Sequence, residues 1–270
     1  MSASSNTLAS LAAGFALGIG FFTVWEAIKQ TRRNQNPKKS LYIYMIWGEI
    51  MANIGIGVMG WLLLEGILTA DVPVLFVLLV FYVFEIQLLM QIIVNRIAII
   101  AETRETVTRV KWATAGVITA INIAVFCIWI PAHRDPPVSV LFVQINRIWD
   151  RISKSLICLV DAWLNWFFLK NVRVRLVQQA GLLKYQPLVD FNTKLMVLSV
   201  LSDVMLIGLM SLPNENAYIQ FHPVVYTAKL NIEMSMASLI RRLKIRQQSG
   251  IDLHQADDSP AFCIKVGQQL

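Results

Sequence analysis

Apolar residues run through this chain in blocks of about 20 or more, the length a helix needs to cross roughly 30 Å of hydrocarbon. Seven blocks can be marked: Leu8–Ile28, Leu41–Leu68, Val74–Ile100, Trp112–Pro131, Ile148–Leu169, Leu188–Leu212 and Ile219–Ile240. Each reads as an α-helix, because a backbone facing lipid must satisfy its own hydrogen bonds. The second and third exceed the minimum length, which predicts tilt or extension into the interface. The expected fold is all-α, a seven-transmembrane helix bundle over 1–246, with a polar tail over 247–270.

Composition agrees with that pattern. Of 270 residues, 56% are hydrophobic and 15% charged, where a soluble domain carries about 25% charged residues. Mean hydropathy is +0.57. The net charge of +7 therefore does not indicate a nucleic-acid partner; the expected partner is the lipid bilayer. Basic residues alternate by loop. Eighteen fall in the first, third and fifth connections and the tail, including "KQTRRNQNPKK", Arg96 and Arg104. Four fall opposite, at Arg134, Arg147, Arg151 and Lys154. Under the positive-inside rule this predicts an outside N-terminus and a cytoplasmic C-terminus. The first block reads as a retained anchor, since its basic cluster follows it. The membrane is that of the endoplasmic reticulum or the cell surface. Gly14 and Gly18, and the glycines of the second block, read as helix-packing positions. Three cysteines without CxxC or HExxH spacing predict no disulfide framework, no metal and no cofactor.

Charge inside the blocks is the chemical feature. At 1.5 Å per residue, Lys229, Asp203 and Glu85 lie about 14–16 Å deep; Asp161 and Glu49 are also well inside their spans. Such residues are costly in lipid and normally face the bundle interior. Spacing agrees: His222, Tyr226, Lys229, Glu233 and Met236 form one stripe, and Arg147, Arg151, Lys154, Cys158, Asp161 and Asn165 another. Glu49 shares a face with Asn53, and Ser199 with Asp203. The expected site is an acid-lined pocket formed by Asn53, Glu85, Asp161, Asn165, Tyr226, Lys229 and Glu233. Five carboxylates cannot all ionise beside one midspan ammonium, so some are expected to carry protons. A pocket of that kind suits proton donation or a cationic or hydroxylated small-molecule ligand.

Several functions fit this plan. Seven spans with an outside N-terminus resemble the layout of G-protein-coupled receptors, although the third block ends in "NRIAIIAETRE" and the last has no Asn-Pro-x-x-Tyr. A retinal Schiff base on Lys229 with Glu85 as counter-ion is weakened by a sixth block without Trp, Tyr or Pro. Small seven-span fungal terpene cyclases share the size and helix count. Under that reading Asp203 or Glu49 is the catalytic general acid, and Trp47, Tyr82, Trp163, Trp166 and Tyr226 line the wall. Their usual Asn before a Trp-Glu pair differs from "YMIWGEIMAN", where Gly48 separates Trp47 from Glu49 and Asn53 follows.

Two stretches, "TVWEAIKQTRRNQNPKKSLYIYMIWGEIMANIGIGVMGWLLLEG" and "FHPVVYTAKLNIEMSMASLI", resemble a broad group of seven-span integral membrane proteins of filamentous ascomycete fungi. The resemblance implies the same architecture but carries no mechanism. Some members of such groups lie beside secondary-metabolite genes. The expectation is therefore a receptor-like or accessory membrane protein of a fungal secondary-metabolite pathway, with the intramembrane terpene cyclase as the alternative.

Overall fold

The computed structural model describes residues 3–34, 36–69, 71–101, 103–133, 139–174, 186–210 and 221–241. Among them are the helices α1 (Ala3–Arg33), α2 (Leu41–Leu64), α3 (Val72–Ile100), α4 (Arg104–His133), α5 (Val140–Val172) and α6 (Gln186–Leu209). Residues 221–241 form a further helix, α7, and the described residues contain no strand. The polar tail, 247–270, lies outside the described residues.

Six helices, α1 to α6, are long and apolar enough to cross a membrane, which marks a multi-pass membrane protein. Their surface is inverted relative to a soluble fold. Leu17, Phe21, Trp112 and Leu159 are exposed, while Glu49, Glu85, Arg96, Asp161, Lys229 and Glu233 are buried. Soluble monomers keep exposed apolar patches small and leave charges in water; here lipid is the solvent of the outer surface.

The seventh block behaves differently from the other six. It is not among the helices apolar enough to span by composition, and no residue from 221 to 241 is exposed. A helix enclosed by protein need not present apolar side chains to lipid, so α7 can carry His222, Lys229, Asn231 and Glu233. Helices α1 to α6 pack in chain order, with α3 also against α5, and α7 is held by side chains of α1, α3, α5 and α6.

Polar side chains tie α7 to its neighbours. Gln30 of α1 donates to the Met234 carbonyl at 2.9 Å and accepts from the Tyr42 hydroxyl of α2 at 3.1 Å. Asn231 donates to Thr23 Oγ1 of α1 at 3.3 Å. Without a hydrophobic drive between helices in lipid, packing and such hydrogen bonds hold the bundle together.

Helix ends follow local chemistry more than the apolar blocks do. The second block was expected to run to Leu68, but α2 stops at Leu64. Gly66 takes a φ of +71°, its N–H bonds the Leu63 carbonyl, and the Ile67 N–H reaches the Leu62 carbonyl; this is a Schellman cap. Conversely, α5 starts eight residues ahead of its apolar block, where Ser139 caps the Leu141 N–H at 3.3 Å. Arg147, just ahead of the apolar block, is thus helical and continues the stripe of Arg151 and Lys154. At 33 residues, α5 is about 50 Å long, well beyond the hydrocarbon thickness.

Two close approaches set the α2–α3 register. A Cβ on Gly48 would lie 3.0 Å from Leu88, and one on Gly55 would lie 3.0 Å from the Phe81 ring. In this antiparallel pair, Gly48 therefore faces Leu88 and Gly55 faces Phe81. Leucine at Gly55 is expected to overpack the seam and cost about 1–3 kcal/mol. Gly57 has nothing within 4 Å of its Cβ position, so Gly57→Leu is the matched control. Thermal unfolding in detergent micelles checks this, with Gly55→Leu melting lower and Gly57→Leu melting close to the parent.

Candidate functional site

The buried polar residues form a ladder along α7. At its centre Lys229, fully enclosed, donates to Asp161 Oδ2 of α5 at 3.0 Å and to both oxygens of Asp203 of α6, at 2.8 and 2.7 Å. One ammonium has three hydrogens, and all three are taken. Lys229 is therefore the clasp joining α5, α6 and α7.

On one side of this clasp the ladder continues through Asn165, one turn beyond Asp161. Its amide donates to Asp161 Oδ1 at 3.2 Å, and its carbonyl oxygen accepts from Arg96 of α3 at 2.7 Å. Arg96 in turn pairs with Glu233 of α7 at 2.8 Å and lies 4.1 Å from the centre of the Phe168 ring. The guanidinium offers five donors in a planar fork, which suits one residue bridging three helices. A hydrogen-bonded path thus runs from Asp203 through Lys229, Asp161 and Asn165 to Arg96, and the ion pair of Arg96 extends it to Glu233.

On the other side His222 is stacked on Tyr226, with ring centres 4.4 Å apart, and packs against Tyr82 at 5.3 Å. Lys154 Nζ lies 3.2 Å from His222 Nε2 and 4.2 Å from the centre of the Tyr82 ring. An ammonium only donates, so Nε2 accepts and the ring proton sits on Nδ1. That nitrogen faces Glu85 Oε2 at 3.4 Å, outside hydrogen-bond alignment. Lysine, imidazole and carboxylate compensate one another across α5, α7 and α3.

Every residue expected in the pocket is buried: Asn53, Glu85, Asp161, Asn165, Tyr226, Lys229 and Glu233. Asp161, Asn165, Lys229 and Glu233 join one network with Asp203. Glu85 and Tyr226 belong to the histidine cluster, while Asn53 stands with Glu49 on α2. The sequence-based inventory of bases needs correction. Arg96 and Lys154, counted there as loop charges, are buried at 1% and 5% exposure, so three bases rather than one offset the five acids. Their position near the ends of apolar blocks hid this, because such residues usually serve as interface anchors. Arg147 and Arg151, on the same sequence stripe as Lys154, are exposed. Trp163 and Trp166, expected as wall residues, face outward at 47% and 54% exposure.

Glu49 is the exception among the acids. It is fully buried with neither oxygen in hydrogen-bond geometry, as are Glu85 and Glu233, but unlike them it has no base beside it among the described residues. Asn53, one turn on, and Glu85 are the side chains that act on it. Among the described residues no group of His, Cys, Asp and Glu is arranged to hold a metal ion. Comparison with family models, characterised proteins and solved structures gives no match.

Removing the clasp leaves two buried carboxylates facing each other. Lys229→Met is expected to destabilise the bundle by about 3–5 kcal/mol, the usual cost of orphaning a buried ion partner. Adding Asp161→Asn and Asp203→Asn removes the orphaned charge and is expected to recover much of that loss. Melting temperatures of the single and triple variants in the same detergent provide the test.

Proposed function

We propose that this chain is a receptor-like or accessory protein of a fungal membrane, not an acid catalyst built on Asp203. The observation that carries the reading is the engagement of Lys229 by Asp161 and both oxygens of Asp203. A carboxylate held on both oxygens by an ammonium has no proton to give. It is instead part of a structural clasp on α7. The clasp holds α5, α6 and α7 as a fixed frame on which a ligand site can be carried.

The proposed ligand is a small apolar molecule bearing an amine or hydroxyl, received at the Tyr82, Glu85, Lys154, His222 and Tyr226 cluster. Aromatic faces with an adjacent carboxylate favour a cation or a hydroxyl donor. The proposed topology is seven spans with the N-terminus outside. With buried Arg96 and Lys154 taken out of the loop tally, seventeen basic residues stand against three, so the bias persists. The resemblance to fungal seven-span proteins supplies the proposed setting, service to a secondary-metabolite pathway.

One observation favours a second reading. Glu49 is buried without a basic partner, so an intramembrane terpene cyclase would use Glu49 as its general acid, with Asp203 excluded.

A melting-temperature screen of lipophilic amines and alcohols against the protein in lipid nanodiscs separates the two. The receptor-like reading expects stabilisation of a few degrees by a subset of compounds, lost in Glu85→Gln and Tyr226→Phe. Absence of any shift, together with turnover of a prenylated epoxide that Glu49→Gln abolishes, would establish the cyclase instead. A glycosylation tag at the N-terminus is expected to be modified and one at the C-terminus left bare.

A further inference from the structure

The α2–α3 register brings three polar side chains to one level. With Gly48 facing Leu88 and Gly55 facing Phe81, position 85 of α3 stands opposite position 51 of α2. Glu85 is therefore level with the turn that runs from Glu49 to Asn53. All three are buried, at 0%, 0% and 6% exposure. Both Glu49 oxygens and the Asn53 amide nitrogen lack a hydrogen-bond partner among the described residues. Elsewhere in the core, buried acids have a base beside them: Arg96 for Glu233, Lys229 for Asp161 and Asp203, and Lys154 with His222 for Glu85.

An ionised carboxylate with no partner, sealed from water, is the most expensive arrangement available to the chain, so such a group takes up a cation instead. We propose that Glu49 and Glu85 form an exchangeable proton site in the α2–α3 seam. Glu49 holds the proton, Glu85 is the acid level with it across the seam, and Asn53 lines the site. A proton on Glu49 removes the uncompensated charge and turns a lone acceptor into a donor. The Glu85 carboxylate, level with Glu49, faces His222. Among the described residues Glu85 is the titratable group that acts on Glu49, and Asn53 is the neutral one. His222 and Lys154 reach the site only through Glu85. Loss of the proton places two negative charges in one seam of closely packed helices. The site is thus a charge-dependent contact between α2 and α3, separate from the clasp on α7.

Infrared difference spectroscopy of the purified full chain in nanodiscs reads this directly, because a protonated carboxyl and a carboxylate absorb in different regions. The expected result at neutral pH is a protonated-carboxyl band that shifts in deuterium oxide and vanishes in Glu49→Gln. In Glu49→Asp the band is expected to survive at a changed frequency, and in Glu85→Gln to move without vanishing. Glutamine is a close match to the protonated acid, so Glu49→Gln is expected to melt within a degree or two of the parent. A protonated-carboxyl band that is absent, or unchanged in Glu49→Gln, overturns the proposal. So does a carboxylate signal that responds to sodium in place of choline at fixed pH and is lost in Glu49→Gln; it would assign the seam to a sodium ion.

Discussion

A charge at membrane depth survives only if the protein itself supplies what water would have supplied. This bundle meets that constraint by concentrating its polar groups around one helix. Because α7 is enclosed, its side chains answer to neighbouring helices and not to lipid, and its composition is free to be polar. The outer helices answer to lipid on one face and to protein on the other, which is why α2, α3, α5 and α6 each combine an apolar surface with one or two inward acids or bases, and α1 and α4 with neutral polar groups such as Gln30 and Asn122. The architecture of α1 to α6 is in this sense a consequence of what α7 carries.

Compensation on α7 also decides which chemistry is open to each acid. Asp203 and Asp161 share an ammonium whose hydrogens are all used. Glu233 is paired with a guanidinium, which remains charged under any physiological condition. These acids are fixed parts of the frame. A buried ion triad is not by itself a source of stability, since desolvation offsets much of the attraction. Its value here is specificity: Lys229 has partners only when α5, α6 and α7 stand at the right rotation and height, so wrong packings are penalised heavily.

Much of this plan was legible in the chain. Among the described residues, apolar block length located α1 to α6, since the apolar requirement of a lipid-facing helix leaves a strong signal. The 4-3-4-3 spacing from His222 to Met236 placed the polar stripe of α7, because intramembrane charge has few tolerated orientations. The bases were harder to see. Arg96 and Lys154 lie at the margins of apolar blocks, where a long basic side chain can either snorkel to the interface or turn inward; composition cannot choose between them. The choice is made by partners distant in sequence, Glu233 for Arg96 and His222 for Lys154. Gln30 and Thr23 were missed for a related reason, as each satisfies an α7 group some 204 to 208 positions away. Helix ends were set by Ser139 and Gly66, local signals that hydropathy does not register.

The two halves of the core are thus unequal. Around α5, α6 and α7, the buried acids Asp161, Asp203 and Glu233 are each matched to a base across a helix boundary, and changing their charge would break contacts on two or three helices at once. Along the α2–α3 seam, contact rests on Gly48 against Leu88 and Gly55 against Phe81, and Glu49 has no base beside it. There a change of protonation alters charge without breaking an existing hydrogen bond, because Glu49 makes none among the described residues. Helices joined by interlocked ion pairs resist displacement, while helices joined by close van der Waals packing respond to small changes in local repulsion. The frame around α7 is therefore suited to holding still. The seam at Glu49 is suited to moving, with Glu85 and His222 linking it to α7.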